Sequence, residues 1–545
     1  MPDIDLPALS RRTLLRGSTL AAGAALLATR SAAADPVPPF AHGVASGDPL
    51  PDRVVVWTRI TPSPDAAPGS GAGAPVPVRW EVATDPGFSA VARSGSVTAS
   101  PDTDHTVKVD VTGLTPATTY HYRFTAADGS RSATGRTATA PDVDAEVADL
   151  RFGVVSCSNW EAGYFAAYRH LAARDDLDAI VHLGDYIYEY GRGEYGARSG
   201  SVRLHDPAHE IVSLADYRIR HAQYKTDPDL QALHARFPFI VTWDDHETAN
   251  DAWQGGAENH TTATEGDWAT RYANGRRAYL EWMPIRVTRP DQPLYRRFRF
   301  GRLAELSMLD LRSHRDEQVP VTSTSVDSPE RSITGRAQLD WLTSGLTTSP
   351  TRWRLVGNPV MIAPILLPPL DVRTTRALTQ TAGLPSAGVP LNADQWDGYA
   401  ADRRRLFDAL TGNGVTNTVF LTGDIHSSWA AELPVDAAAV PASPSVGTEF
   451  VVPSVTSKNI DDMVGVPPRT ASPAVEAALQ ATNHHLKYVE LDSHGFGVFE
   501  VTGARARMDW WFLTDPTDPG AGAGIAASVA VDDGTQRLVV SPSSP

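Results

Sequence analysis

Gly184-Asp185-Tyr186-Ile187-Tyr188, Trp243-Asp244-Asp245-His246-Glu247 and Gly423-Asp424-Ile425-His426 are the most informative stretches of this 545-residue chain. Each follows a strongly apolar run, at residues 178–183, 237–242 and 417–422, which predicts a buried strand. In α/β sheets, ligands bind outside the carboxyl ends of the strands, so we expect these side chains to meet at one sheet edge. Carboxylate, imidazole and phenol groups gathered in this way are typical of a two-metal hydrolase.

A fourth apolar run, residues 150–155, ends at Ser156-Cys157-Ser158-Asn159, and Cys157 is the only cysteine of the chain. Because no second cysteine exists, Cys157 cannot form an internal disulfide. It is therefore either an apolar filler of the core or a metal ligand. Its position at a predicted strand end favours the ligand.

The N-terminus predicts export. Ser10-Arg11-Arg12-Thr13-Leu14-Leu15-Arg16 precedes a mildly apolar run at residues 17–29, and Ala32-Ala33-Ala34 offers a small-residue cleavage site. This pattern is typical of a twin-arginine signal, and the apolar run is too short to span a membrane. We expect the twin-arginine translocase to recognise residues 1–34, which leaves a secreted, extracellular chain that begins near Asp35.

The charge balance argues against nucleic acid as a partner. The chain has 48 basic and 64 acidic side chains, and removal of residues 1–34, with four arginines and two aspartates, changes the formal charge from −16 to −18. No basic run suggests polyanion recognition, and no other stretch approaches the roughly 20 apolar residues of a membrane helix. With 42% hydrophobic residues, the chain can bury large cores, and its length suggests two to four domains.

Residues 35–141 consist of short β-rich segments separated by Pro, Gly, Asp and Ser, a spacing that predicts a β-sandwich. Leu114-Thr115-Pro116-Ala117-Thr118-Thr119-Tyr120 resembles the tyrosine corner of fibronectin type III domains, in which the tyrosine hydroxyl bonds to nearby backbone. We therefore predict an all-β, fibronectin type III-like domain with a packing role.

Residues 142–512 change to strands that alternate with helical patterns, which predicts a layered α/β domain. The helical segments are residues 162–173, 214–225, 229–235, 268–282, 335–343 and 401–410. Residues 364–397 and 453–482 lack clear periodicity and are predicted to wrap the active-site rim. Residues 513–545 form a C-terminal extension, in which residues 526–540 predict a final hairpin.

The four strand ends resemble those of the alkaline phosphatase D family, within the calcineurin-like metallophosphoesterase superfamily, and especially the secreted Streptomyces phospholipases D of that family. The resemblance covers nearly all of residues 40–512, including His42-Gly43-Val44-Ala45-Ser46-Gly47-Asp48-Pro49. It implies an α/β metallophosphoesterase sandwich, two sheets flanked by helices, preceded by the β-domain. The broader superfamily carries Asp-x-His and Gly-His-x-His where this chain has Cys157 and Gly423-Asp424-Ile425-His426.

At the first metal position, the thiolate of Cys157, the carboxylate of Asp185 and the phenolate of Tyr188 provide three negative charges, and His426 is a neutral fourth ligand. A phenol with a free pKa of about 10 ionises at neutral pH only beside a strong Lewis acid. Iron(III) fits this ligand charge, and the resemblance implies the same ion. Zinc and manganese remain alternatives.

At the second position, Asp245 and Asp424 offer hard oxygen ligands, and Asp185 is placed to bridge both ions. Such a set suits Ca²⁺ or another hard divalent ion better than a nitrogen-preferring transition metal. Asn358, after the apolar run at residues 353–357, is a further candidate that would supply a carbonyl oxygen.

Two such cations activate a water as hydroxide and hold a phosphoryl group, so no side-chain nucleophile is required. We predict that His246 stabilises the developing charge or protonates the leaving group. Arg312 is predicted either to approach the substrate phosphate or to form an ion pair with Asp310 that braces a strand end. Asp244 and Glu247 are predicted to orient their neighbours.

The sequence therefore predicts a secreted metal-dependent phosphoesterase that acts on phosphodiesters and phosphomonoesters. Phospholipids enter as substrates through the resemblance alone, because no spacing in the chain distinguishes a diesterase from a monoesterase. The alternatives are a strict alkaline phosphomonoesterase and a non-catalytic extracellular binding protein.

Overall fold

The computed structural model describes residues 39–289, 291–365, 377 and 389–541. In chain order, its strands are β1 (Val44–Leu50), β2 (Arg53–Arg59), β3 (Val76–Ala83), β4 (Val91–Ala99), β5 (Thr106–Thr112), β6 (Thr119–Thr125), β7 (Gly135–Ala138), β8 (Asp149–Val155), β9 (Ala179–His182), β10 (Pro238–Val241), β11 (Arg296–Phe300), β12 (Ala304–Met308), β13 (Trp353–Asn358), β14 (Thr418–Thr422), β15 (Ser428–Pro434), β16 (Ser445–Val451), β17 (Leu486–Glu490), β18 (Gly495–Thr502), β19 (Arg505–Leu513), β20 (Ala523–Asp532) and β21 (Leu538–Ser541). The helices are α1 (Ala166–Ala172), α2 (Leu214–Tyr224), α3 (Pro228–Arg236), α4 (Thr262–Glu265), α5 (Trp268–Trp282), α6 (Arg336–Thr348), α7 (Ala400–Gly412), α8 (Ile460–Val464) and α9 (Ser472–Thr482).

These strands form three sheets. A ten-stranded sheet has the order β21-β20-β19-β18-β8-β9-β10-β1-β2-β5, a seven-stranded sheet has the order β11-β12-β13-β14-β16-β15-β17, and a four-stranded sheet has the order β4-β3-β6-β7. Strands β8, β9 and β10 run parallel as neighbours in the first sheet, and β12, β13, β14 and β16 do so in the second. Each of the two larger sheets therefore has a row of carboxyl ends that can carry functional loops.

The two larger sheets pack face to face, and helices cover their outer faces. Alternate residues of one strand serve different cores: in β9, Val181 lies in the core between the sheets, whereas Ile180 packs with α1, α2, α3 and α5. On the far side, α6, α7 and α9 pack against the seven-stranded sheet through leucines such as Leu342 and Leu406. This arrangement is the predicted α/β sandwich with flanking helices.

The N-terminal β-region shares a sheet with the α/β region. Strands β3, β4, β6 and β7 form the four-stranded sheet, but β1, β2 and β5 continue the ten-stranded sheet, where β1 pairs with β10 in parallel. This pairing removes the exposed edge that β10 would otherwise present. The predicted tyrosine corner is present, because the Tyr120 hydroxyl accepts a hydrogen bond of 2.9 Å from the Thr115 amide.

Strands β20 and β21 extend the opposite edge of the ten-stranded sheet, because β20 pairs antiparallel with β19 and β21 pairs antiparallel with β20. The segment predicted as a C-terminal extension thus completes the main sheet, and its final hairpin is confirmed. The prediction of an irregular segment at residues 453–482 was wrong in part, since α8 and α9 lie there. Pro473 occupies the first turn of α9, a common position at a helix start, and was the available signal.

Two predictions fall wholly or partly outside the described residues: the twin-arginine signal at residues 1–34, and most of the irregular segment at residues 364–397. Across the part of the chain that the structure covers, no helix combines the length and the apolar character that a membrane crossing requires.

Candidate metal centre and its cavity

The predicted ligands meet where the two larger sheets adjoin. Cys157, Asp185 and Asp245 follow β8, β9 and β10 of the ten-stranded sheet, whereas Asp424 and His426 follow β14 of the seven-stranded sheet. The expectation of a single sheet edge is thereby corrected. The carboxyl ends of both parallel strand sets point to the same side of the sandwich, so two edges contribute to one site.

The backbone at these strand ends is strained. Cys157, Asp185, Asp424 and His426 have φ values of 60°, 54°, 62° and 50°, a left-handed conformation that is costly for residues with a Cβ. Gly184 precedes Asp185 with φ of 111°, and a Cβ there would lie 2.5 Å from the Cβ of Asp244. Such strain is typical of functional sites, and here it turns the ligand side chains toward one another.

The first ligand group consists of Cys157, Asp185, Tyr188 and His426. Ligand atoms of Cys157, Asp185 and His426 all lie within 4.8 Å of one another. The Tyr188 hydroxyl lies 3.1 Å from Asp185 Oδ2 and 3.4 Å from His426 Nε2. The structure therefore brings together all four residues predicted for the first metal.

The second ligand group consists of Asp185, Asp244, Asp245 and Asp424, whose carboxylate oxygens also lie within 4.8 Å of one another. Asp185 belongs to both groups, as a bridging ligand would. Asp244 was predicted only to orient its neighbours, but it contributes an oxygen to the cluster itself.

The amide of Asn358 is hydrogen-bonded inside the protein. Its Oδ1 accepts a hydrogen bond of 3.0 Å from Trp396 Nε1, and its Nδ2 donates one of 3.1 Å to Thr422 Oγ1. Because the amide oxygen accepts only this one hydrogen bond, it keeps a second lone pair, and its role as a metal ligand stays a prediction.

The buried carboxylates of the two ligand groups lie so close together that they need compensating positive charge. Burial, together with the nearby charges of Asp244 and Asp245, raises the pKa of Asp185 well above its ordinary value, and Asp185 Oδ1 has no hydrogen-bond partner within the described chain. Burial and then the carboxylates of Asp244 and Asp394 raise the pKa of Asp424 in the same way. Several carboxylates crowded into a dry site are stable as anions only when positive ions compensate them, so the residues fit two bound metals.

Two side chains and one backbone carbonyl outside the ligand groups hold the ligands in place by hydrogen bonds. Ser457 Oγ donates a hydrogen bond of 2.6 Å to the Tyr188 oxygen, and His426 Nδ1 donates one of 2.6 Å to the Lys458 carbonyl, which leaves His426 Nε2 for a metal. Glu247 accepts backbone hydrogen bonds from Asp244 and Asp185, at 2.9 and 3.1 Å, and so ties two ligand loops together as predicted. Sequence reasoning missed Ser457 and Lys458, which lie in the segment predicted as irregular.

His246 lies at the cavity surface and is held by a carboxylate that the sequence did not reveal. Its Nδ1 lies 2.7 Å from Glu189 Oε2, and its ring packs 4.2 Å from that of Tyr188. Burial alone would lower the pKa of His246, but the charges of Glu189 and Asp245 raise it well above its ordinary value. The only available signal for Glu189 was its place directly after Tyr188 in the same loop.

Arg312 forms its ion pairs with residues other than the predicted Asp310. Its guanidinium contacts Asp244 at 2.6 Å and Asp394 at 2.9 Å, while Asp310 instead accepts a hydrogen bond of 2.9 Å from Trp243 Nε1. Arg312 is buried and does not line the cavity. Four of its five N–H donors contact carboxylate oxygens of Asp244 and Asp394, so Arg312 positions these two residues, and a contact with substrate stays a prediction.

A cavity of about 910 Å³ opens over the ligands, near the upper end of the usual range for small-molecule sites. Its floor carries Asp185, Asp245, His246, Asp424 and His426. The remaining lining includes Tyr190, Tyr195 and Asn250 and a set of apolar side chains from α8 and α9.

An α/β sandwich that gathers buried carboxylate, imidazole, thiol and phenol groups at its strand ends defines a metal-dependent hydrolase of the metallophosphoesterase type. A family model described as PhoD-like phosphatase matches residues 152–510, and one for the N-terminal domain of PhoD-like phosphatases matches residues 26–141. The chain belongs to the PhoD-like phosphatase family and is a phosphoric ester hydrolase.

Individual relatives agree with this assignment. The chain is 38% identical over 502 residues to alkaline phosphatase D of Bacillus subtilis (strain 168), an alignment that covers 90% of this chain and 80% of the relative. A solved structure titled "Structure of PhoD" matches with a TM-score of 0.82 at 35% identity and covers 93% of each chain. The resemblance inferred from the strand ends and the predicted fold class are thus confirmed.

Proposed function

We propose that this enzyme hydrolyses phosphodiesters, including the head-group esters of phospholipids, and phosphomonoesters in addition. The observation that carries the proposal is the lining of the cavity, because Tyr190 and Tyr195 as well as apolar residues of α8 and α9 border the same cavity as the ligand cluster. A phosphodiester has two substituents on phosphorus and needs room on both sides, whereas a monoester needs room on one.

We propose iron(III) for the first ligand group and Ca²⁺ for the second. Three of the four side chains in the first group become anions when they bind a metal, which favours a trivalent ion, and the second group offers carboxylate oxygens alone. Bound there, the cations would neutralise phosphoryl charge and lower the pKa of a water molecule.

The side chains of the enzyme supply orientation and a proton. His246 donates Nδ1–H to Glu189, so its Nε2–H is the donor available at the cavity for the leaving oxygen. Arg312 and Glu247 hold the loops that carry Asp244 and Asp185. No side chain needs to act as a nucleophile, so attack by water is direct.

Hydrolysis of three substrates tests the proposed specificity: p-nitrophenyl phosphate, bis(p-nitrophenyl) phosphate and dispersed phosphatidylcholine. We expect kcat/KM for the diester to equal or exceed that for the monoester, and choline to be released from the lipid. Activity on the monoester alone would replace this proposal with the strict phosphomonoesterase.

The visible spectrum tests the first metal. An iron(III) phenolate absorbs visible light, so we expect a coloured protein whose band disappears in Tyr188→Phe. Tyr190→Phe is the matched control, because Tyr190 lines the cavity outside the ligand groups. We expect this variant to keep the visible absorption band. A colourless, iron-free and fully active protein would refute iron at this site.

We also propose that the chain is exported by the twin-arginine route, on the strength of Arg11 and Arg12 in the N-terminal pattern. Because recognition depends on paired guanidinium groups and not on charge alone, Arg11→Lys with Arg12→Lys should trap the precursor in the cytoplasm. Unchanged export of that double variant would overturn the proposal.

A further inference from the structure

One side of the cavity is an apolar wall, which we define as Ile425, Ile460, Met463, Val475, Leu479 and Leu491. The wall begins between two predicted metal ligands, since Ile425 separates Asp424 from His426. From there it continues over α8 and α9. A group bound at the ligands therefore occupies the same cavity as these apolar side chains.

The apolar wall combines exposed and buried side chains. Met463 and Val475 are 58% and 41% exposed, whereas Leu479 and Leu491, at the base, are only 6% and 4% exposed. Exposed apolar residues that adjoin one another at a cavity mouth mark a binding surface more often than isolated ones do.

The polar groups beside the wall are already occupied by the protein. The Asp461 carboxylate accepts hydrogen bonds from the backbone amides of residues 470–472, at 2.8 to 3.0 Å. Glu476 pairs with Arg469 at 2.5 Å and accepts a hydrogen bond of 2.9 Å from the Leu491 amide. These carboxylates are not free to bind a ligand, so the surface favours an occupant without charge or hydrogen-bonding groups.

We infer that the apolar wall binds an alkyl or acyl chain of the substrate itself, so that the preferred substrates are amphiphilic phosphate esters. The inference rests on the proposed function for the phosphoryl end of the substrate. The apolar end is assigned by the shared cavity of the wall with Asp424 and His426, by the exposure of Met463 and Val475, and by the hydrogen bonds that already occupy Asp461 and Glu476.

A homologous series of p-nitrophenyl alkyl phosphates, from methyl to octyl and kept below their aggregation concentrations, tests the inference. The leaving group is constant, so differences in kcat/KM report binding of the chain. Complete burial contributes a factor of about four per methylene, and partial burial along an open wall predicts an octyl-to-methyl ratio of about 100 or more.

The double variant Met463→Gln with Val475→Gln should lower the octyl-to-methyl ratio by about tenfold or more. Val464→Gln is the matched control, because Val464 is 61% exposed and adjacent to Met463 but does not line the cavity. We expect this control to keep the wild-type ratio. Both altered positions of the double variant are exposed, so the substitutions do not disturb the core.

A ratio near one in the wild-type enzyme, or an equal loss in Val464→Gln, would overturn the inference while leaving the proposed function intact. So would an effect of the variants on vesicle binding alone, since that would make the wall a lipid-surface contact. If no member of the series is hydrolysed, the proposed function fails. Calorimetric binding of octyl phosphonate against methyl phosphonate then tests the wall by itself, and equal affinities would overturn the inference.

Discussion

The imidazole of His246 is fixed on two sides, by the Tyr188 ring at 4.2 Å and by Glu189 at 2.7 Å. Burial would raise the pKa of Glu189, but the charge of His246 and its hydrogen bond lower it to about 2. Glu189 Oε1 also accepts a hydrogen bond of 2.7 Å from the Asn250 amide and one of 2.9 Å from Asn259 Nδ2. Glu189 therefore stays ionised and sets which ring nitrogen of His246 faces the cavity.

At the residue scale, we expect Glu189→Gln to lower kcat by about 10- to 100-fold, because the imidazole loses its orienting anion. His246→Ala should lower kcat by about 10² to 10⁴. The two changes act on one function, so the double variant should be no slower than His246→Ala alone. Steady-state kinetics with metal content measured on each protein checks this, and fully additive losses would separate Glu189 from His246.

At the element scale, the loops after β10 and β12 and the segment before α7 are joined by Arg312. Its ion pairs with Asp244 and Asp394 link the ends of strands from different sheets, and Arg315 adds a contact of 2.7 Å to Asp394. Gln395, next to Asp394, donates a hydrogen bond to Asp424. A single buried guanidinium thus holds the second ligand group and the rim segment in one arrangement.

We expect Arg312→Met to lower the free energy of unfolding by about 3 to 5 kcal/mol, because it leaves buried carboxylates unpaired. Arg505→Met is the matched control, since its ion pair with Asp532 is about half exposed on both sides and should contribute less than about 1 kcal/mol. Urea unfolding of both variants measures the difference. A variant of normal stability with a KM raised more than about tenfold would instead assign Arg312 to the substrate.

The loops also show which parts of the site a sequence can reveal. Cys157, Asp185, Asp245 and Asp424 could be predicted because each directly follows an apolar run, and parallel strands align their carboxyl ends. Glu189 and Ser457 could not, because their partners are 57 and 269 residues away in the chain and only loop packing brings them together. Arg312 was predicted as a site residue, but its ion-pair partners were not. They lie on loops that come together only when the two sheets pack, and the local sequence carries no information about that packing.

The same limit applies to the larger elements. The helices at residues 214–224 and 268–282 were predicted to within a residue, since both have clear start signals and an apolar face. Residues 35–141 were predicted as a separate sandwich because the strand pattern carries no information about the pairing of β1 with β10. Whether such strands close on themselves or join a neighbouring sheet depends on contacts across the chain.

At the scale of the whole molecule, two sheets bring mutually repelling carboxylates into one buried site. Asp244 and Asp245 follow a strand of the ten-stranded sheet, and Asp424 follows a strand of the seven-stranded sheet. Without bound cations, the repulsion between these carboxylates therefore acts between the two sheets. Bound cations would therefore stabilise the sandwich as well as the chemistry.

We expect removal of the metals to lower the melting temperature by about 4 °C, the shift that about 4 kcal/mol of binding free energy produces in a chain of this size. In Asp424→Asn, one of the repelling charges is absent, so the metal-free variant should melt above the metal-free wild type. Scanning calorimetry with and without chelator checks both statements. Identical melting temperatures in all four samples would show that the cluster holds no stabilising ion.

The most direct test of a metal-dependent hydrolase at this site is hydrolysis of bis(p-nitrophenyl) phosphate, measured together with metal content, before and after chelation and after metals are returned. We predict that activity disappears with the metals and returns with them in the wild type, and that Asp185→Asn, which lacks the shared ligand, neither retains both ions nor hydrolyses the diester. Full activity in metal-free protein, or in Asp185→Asn, would contradict the assignment of the site.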